Sequence, residues 1–402
     1  MKHLLFTSAI SLALALPAFA NDSTIDQIGL GNFADVDQTG GNGGTSLIEQ
    51  TGDNDLASVL QSDGGGSGTN NAIIRQLEGS NVQEANITQN NGTSGAENFA
   101  TIVQDSIQGG NLANINQDGA GNQAVALQGP GASDDLVFPT FFGTIVRPTT
   151  PGDITNSESS INQLGNGNTA STAQVVGSNG GDNNLAGITQ TGDDNSAAIL
   201  QGTGTGSTIF GPALSANDND NIANILQDGI GNDSSIAQGG ESGFASNTQT
   251  GNDNSSVIVQ SGGTPFFGNS AVVSQTGNDN ESEVFQTSSN GDLPIVPDGT
   301  TASVTQNGDD NFSTISQKPL GGHLATVLQT GNGGFSLIEQ DGLLNTATLT
   351  QGMEDNTSEI FQTGPSVVGP VGNTATVMQT ATSGNFSTVS QSGVLNTSTV
   401  MQ

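Results

Sequence analysis

Few side chains in this 402-residue chain suit acid–base or nucleophilic work. Cysteine is absent, which excludes thiol chemistry and thiolate metal sites. Of the two histidines, His3 lies in an N-terminal segment read below as removable, and His323 stands where most repeats carry asparagine. General acid–base catalysis draws first on histidine. Glycoside hydrolysis needs only a carboxylate pair, but a recessed one, and the acids here fall beside glycine and asparagine in turn-like stretches. The chain is therefore expected to be no enzyme and to need no cofactor. Hard oxygen ligands for calcium are offered by "NDNDN" at Asn217 to Asn221 and by the "GDDN" stretches. The nine-residue glycine-rich repeat of calcium-folded solenoids is missing, so any calcium binding is expected to be incidental.

The side chains that recur with strict spacing are amides. Aligned on glutamine, the chain contains 28 copies of N-x-[AS]-x-[IV]-x-Q, commonly 11 or 12 residues apart, from Gln27 to Gln402. Ala or Ser stands four residues before every one of these glutamines. Ile, Val or Leu stands two before, except at Ala126, Thr172 and Asn247. Asn stands six before, except at Gly44, Asp55, Gln83, Ser157, Gly243, Thr300, His323 and Gly334. An amide in this pattern can do one thing well, which is to hydrogen-bond to an identical amide stacked above it. A buried amide without a partner costs roughly 1 to 3 kcal/mol and a satisfied one contributes about 1, so such a glutamine favours the inside of a stack. The candidate assembly ladder is Gln27, Asn32, Gln38, Gln50, Gln61, Asn311, Gln317, Gln340, Asn345, Gln351, Asn396 and Gln402.

The elements that position these amides follow from the same spacing. Period two over seven residues with a β-branched residue near the end is a strand with one fixed face. Between strands, "QTGDDN" (Gln190 to Asn195), "QTGNDN" (Gln249 to Asn254 and Gln275 to Asn280) and "QNGDDN" (Gln306 to Asn311) are tight corners. Two strands and two corners make a turn of about 23 residues, and stacked turns lie ~4.8 Å apart. The expected fold is all-β, an amyloid-like β-solenoid of about 14 turns and 28 short strands with a thin core of Ala or Ser facing Ile or Val.

Residues 1–20, "MKHLLFTSAISLALALPAFA", read as a secretory signal peptide cleaved after Ala20. No later segment approaches a membrane-spanning length, so export is expected. Repeats then fill 21–128 and 156–402. An insertion at 129–155 carries three phenylalanines, and smaller ones lie near 202–218 and 363–372. These are expected on one face of the solenoid. "PTFFG" at Pro139 to Gly143 and "TPFFG" at Thr264 to Gly268 also suit contact loops. Thirty-eight acids against four Lys and Arg leave a formal charge of −34, which excludes a nucleic-acid partner. Phe33, Leu56, Phe99, Leu112, Phe312, Phe335, Phe386 and others stand five residues before a ladder glutamine, on outward positions expected to stack like on like. Near the C-terminus "NTATLTQ", "NTATVMQ" and "NTSTVMQ" place T-x-T outward, an ice-binding pattern that Glu359, Met378 and Phe386 are expected to interrupt.

The repeat resembles the curlin repeat, S-x5-Q-x-G-x2-N-x-A-x3-Q, of curli-type bacterial amyloid subunits. The resemblance rests on "STIDQIGLGNFADVDQ" (Ser23 to Gln38), "SSIAQGG" (Ser234 to Gly240) and "IEQDGLLNTATLTQ" (Ile338 to Gln351), and it spans nearly all of 21–402. It implies an extracellular cell-surface fibre for adhesion and biofilm. It also implies self-association, a related nucleator subunit, and export through an outer-membrane pore with periplasmic chaperones. In that family the ladder positions drive polymerisation, and those matched here include Gln27, Asn32, Gln38, Asn345, Gln351, Asn396 and Gln402. The chain departs from the family pattern in carrying about fourteen repeats and no glycine-rich export segment after the leader. The other class of reading is a secreted β-solenoid that stays monomeric and binds calcium or another ligand.

Overall fold

The computed structural model describes residues 21–39, 43–63, 69–77, 82–91, 96–105, 109–129, 154–175, 181–202, 220–262, 268–287, 299–318, 321–364 and 372–402. The expected leader, and most of each expected insertion, lie outside these residues. Alternating strands sort into two parallel 14-stranded sheets. The first runs from Asp22–Ile28 to Phe386–Ser392, and the second from Phe33–Asp37 to Thr397–Met401. Each turn gives one strand to each sheet, so the β-solenoid of about 14 turns stands as read.

Register is set by identity of position. Gln27 pairs with Gln50 and Ile25 with Ile48. The same alignment holds across the largest insertion, where Gln117 pairs with Gln163 and Ala124 with Ala170. A one-residue slip would carry every Ile and Ala to the outer face. The core is one continuous stripe, with Ala57, Ala85 and Ala113 facing Ile48, Ile74 and Ile102, all almost wholly buried. Two of the three exceptions at the Ile position are polar and are paired across this core. Thr172 shares a hydrogen bond with Ser159, and Asn247 donates to Ser234. Thr172 Oγ1 and Asn247 Nδ2 are thus bonded inside the core, whereas Asn247 Oδ1 is buried without a partner.

The two corners differ. From Gln117 onward the return corner, leading from the second sheet to the first, is short at almost every turn. Gly192, Gly229, Gly251 and Gly277 stack there at φ between 106° and 136°. A Cβ on Gly251 would stand 2.0 Å from the Gly277 carbonyl oxygen, so close approach as well as φ demands glycine. Two residues on, Asp194, Asp253, Asp279 and Asp310 hold φ near 55°, where aspartate is tolerated better than most residues. The three expected insertions all fall on the opposite, outgoing corner, as read for loops on one face. A short parallel pair, Ile154–Thr155 with Gly181–Asp182, forms on that edge.

The outer faces agree with the sequence in part. Phe312 and Phe335 stack at 5.3 Å with planes 7° apart, as expected for like-on-like columns. A second apolar cluster was not anticipated. Val103, Val125, Leu127, Ala173, Val175, Ala198, Leu200, Ala237 and Val259 lie on the outer side of the first sheet and are buried. Their signal was the apolar residue just before the glutamine in "TIVQ", "AVALQ", "AAILQ" and "VIVQ". The threonine array is also corrected. Glu359 and Phe386 belong to the first sheet, whereas Thr346, Thr348, Thr374, Thr376, Thr397 and Thr399 belong to the second. Of the three expected interruptions, only Met378 stands among those threonines.

Candidate functional site: the amide ladders

Glutamine side chains point inward at the end of each strand and are almost all fully buried. In the first sheet Gln27 donates through Nε2 to Gln50 Oε1 at 2.6 Å, and Gln50 to Gln76 at 2.8 Å. The ladder continues through Gln317 to Gln340 and Gln340 to Gln362, each at 2.9 Å, and ends with Gln362 donating to Gln391 at 2.9 Å. In the second sheet Gln38 donates to Gln61 at 2.7 Å, Gln61 to Gln89 at 2.9 Å and Gln351 to Gln379 at 3.0 Å. Gln379 then donates to Gln402 at 3.0 Å. Both ladders run unbroken across the described turns, and both have one polarity: every Nε2 gives toward the C-terminal neighbour. The second Nε2 hydrogen crosses the core to a backbone carbonyl of the facing sheet, as from Gln190 to Thr169 at 3.0 Å. Each interior glutamine so links four strands, and chained amides polarise one another.

Asparagines form two further columns with the opposite sense. The backbone N–H and Nδ2 of Asn311 both give to Asn280 Oδ1, at 3.1 and 3.0 Å. Asn396 gives to Asn373 in the same way. Asn32 accepts from the Asp55 N–H at 3.0 Å and gives Nδ2 to the Gly52 carbonyl at 2.9 Å. Asn345 accepts from the Asn373 N–H at 2.9 Å. All twelve candidate residues therefore stand in ladders: Gln27, Gln50, Gln317, Gln340 and Asn311 in the first sheet's columns, and Gln38, Gln61, Gln351, Gln402, Asn32, Asn345 and Asn396 in the second's.

The asparagine replacements segregate. Asp55, Gln83, Ser157, Gly243, Thr300 and His323 all fall in the second sheet's column, and only Gly44 and Gly334 in the first's. The expectation that the acids occupy exposed corners fails at Asp55, which is fully buried. Burial pushes its carboxyl up to about 6, with the Gln83 N–H pulling the other way and the nearby Asp53 charge adding to the rise. His323 stands in for asparagine as read, its Nδ1 accepting the Asn345 N–H at 3.3 Å. Burial holds its imidazole down at about 4, against the backbone of Lys318 and Gly342 and the Asp341 charge. An imidazole kept neutral in a hydrogen-bonded column is a structural residue.

The return corner carries its own ladder. Asn278 gives both its N–H and its Nδ2 to Asp309 Oδ1, at 2.8 and 3.1 Å, and Asp309 N–H gives to Asn332 at 2.9 Å. No group of three or more His, Cys, Asp or Glu able to hold a metal occurs among the described residues. Nor, among them, is any helix long and apolar enough to cross a membrane.

Comparison with known proteins adds one match. Residues 181–210 fit the family model of the curlin associated repeat, which supports the resemblance read from the sequence. The matched stretch holds Leu185–Thr191 of the second sheet, the "QTGDDN" corner and Ser196–Gly202 of the first. No curated protein matches the chain.

Proposed function

From a chain that carries a curlin associated repeat inside a solenoid of like turns, we propose a structural subunit of extracellular curli-like amyloid fibres. Subunits assemble end to end and support adhesion and biofilm. The observation that carries this reading is the pair of glutamine ladders, unbroken and of one polarity, in which every turn is an equivalent partner for the next. A further copy's first turn, with Gln27 and Gln38, presents the acceptors that Gln391 and Gln402 would donate to. Strand edges also expose unpaired backbone that templates another chain, and head-to-tail contacts that do not close give filaments. The family resemblance supports a nucleator subunit and an export pore with chaperones as partners, and a cell-surface location after secretion.

Seeded growth of the purified chain tests this. Asn396→Ala with Gln402→Ala should slow elongation if the C-terminal turn is a growing interface, and unchanged kinetics would place that interface elsewhere.

A further inference from the structure

The sorting of strands leaves one outer face without charge. In the second sheet, the seven strands from Phe244–Asn252 to Thr397–Met401 present no Asp, Glu, Lys or Arg at their outward positions, one, three and five residues before each glutamine. Threonine and serine dominate, as in Thr346, Thr348 and Thr350. Over the same turns the outer face of the first sheet carries Glu281, Glu283, Glu339 and Glu359. The return corner beside it carries Asp253, Asp279 and Asp310. In a chain of formal charge −34, this face is where two copies can approach without opposing carboxylates.

The same face is not simply polar. Phe244, Val272, Leu324, Met378 and Met401 are each at least 36% exposed. Depletion of charge together with exposed Phe and Met is the composition of a protein–protein contact core. Seven strands at ~4.8 Å by three outward positions span about 30 by 20 Å, roughly 600 Å² a side. Two such faces bury about 1,200 Å², the lower bound for a specific pairing.

We propose that this face is a lateral interface for a second copy of the chain, pairing with itself about a two-fold axis. Side chains of two facing sheets can interdigitate in a dry contact, and a self-complementary patch gives a closed pair. In a fibre the contact recurs along its length, so weak pairing of single subunits becomes firm pairing of filaments. The inference stands on the face alone and does not require fibres to form.

The test is Thr326→Glu with Thr376→Glu, against Thr357→Glu with Ser390→Glu on the first sheet's outer face. Fibre width is read by electron microscopy, and the mass of the soluble full chain by analytical ultracentrifugation. The expected result is paired filaments, or dimers of the soluble chain, for wild type and control, and single filaments or monomers for the second-sheet variant. Mixing that variant with Thr326→Lys/Thr376→Lys protein should restore pairing. A second-sheet variant that still pairs, a control that loses pairing, or a wild type that stays single in both assays would overturn the proposal. A single wild type whose second-sheet face instead inhibits ice recrystallisation or binds crystalline polysaccharide would assign the face to that surface and also overturn it.

Discussion

Asp55 accepts the Gln83 backbone N–H at 3.2 Å through one carboxylate oxygen, while its other oxygen is buried without a partner. At the equivalent place one turn earlier, Asn32 offers an amide donor to the Gly52 carbonyl. A protonated Asp55 supplies an O–H where the column elsewhere uses N–H, so acid converts it into an asparagine analogue.

Stability near Asp55 should therefore fall as pH rises. The folded pKa of about 6 lies above the ordinary 3.8, so the folded state holds the proton more tightly. The local contribution is highest below pH 3.8, declines toward pH 6 and stays low above it. Asp55→Asn should remove this dependence and raise local stability at pH 7 by about 1 to 3 kcal/mol. Hydrogen exchange in Leu56–Asp63 and Glu84–Asn91 measures it. Equal protection in both proteins at pH 7 would be the contrary result.

His323 should respond with the opposite sign. Its folded pKa of about 4 lies below the ordinary 6.5, so the unfolded state binds the proton more tightly and stability is lost as pH falls from 6.5 toward 4. Protection in Leu324–Gln329, taken as exchange relative to the unstructured chain at the same pH, should fall between pH 7 and pH 5, and His323→Asn should abolish the fall. Acid thus tightens the turns near Asp55 and loosens those near His323.

An interior ladder amide cannot be removed cheaply. Gln190→Ala leaves the Gln163 Nε2 and the Gln227 Oε1 without their partners. The expected loss is about 2 to 4 kcal/mol, from two stranded amide atoms and the emptied volume. Denaturant unfolding of the soluble chain would show it, and a loss below about 1 kcal/mol would mean the ladder is not what holds adjacent turns.

Like charges repeat along the return corner at Asp253, Asp279 and Asp310, all three in left-handed conformation. Salt should speed fibre growth by screening such carboxylates. Replacing the three by asparagine, which tolerates this conformation, should flatten the salt dependence of the elongation rate. A salt dependence as steep as wild type would place the repulsion elsewhere.

Strands, register and core were legible because one seven-residue pattern fixed all three. Gln, Ala or Ser, and Ile at offsets of two and four put the amide and the apolar side chains on one face of every strand. The allocation of strands to two sheets was less visible, because it depends on counting alternate copies through insertions of unequal length. Glu359 and Phe386 looked like interruptions of a threonine row that lies on the other side of the solenoid. The spacing put Asp55 at a ladder position, six residues before Gln61, but its charge grouped it with the corner acids of "TGDND". The apolar cluster around Leu127 and Leu200 went unread because outward positions vary freely elsewhere in the chain.

Fibre diffraction of the purified chain, grown with and without seeds and followed by thioflavin fluorescence, tests the central claim most directly. The account predicts thioflavin-positive fibres with a ~4.8 Å reflection along the fibre axis, since strands stack in that direction. Protein that stays monomeric for days at micromolar concentration, seeds included, would contradict it.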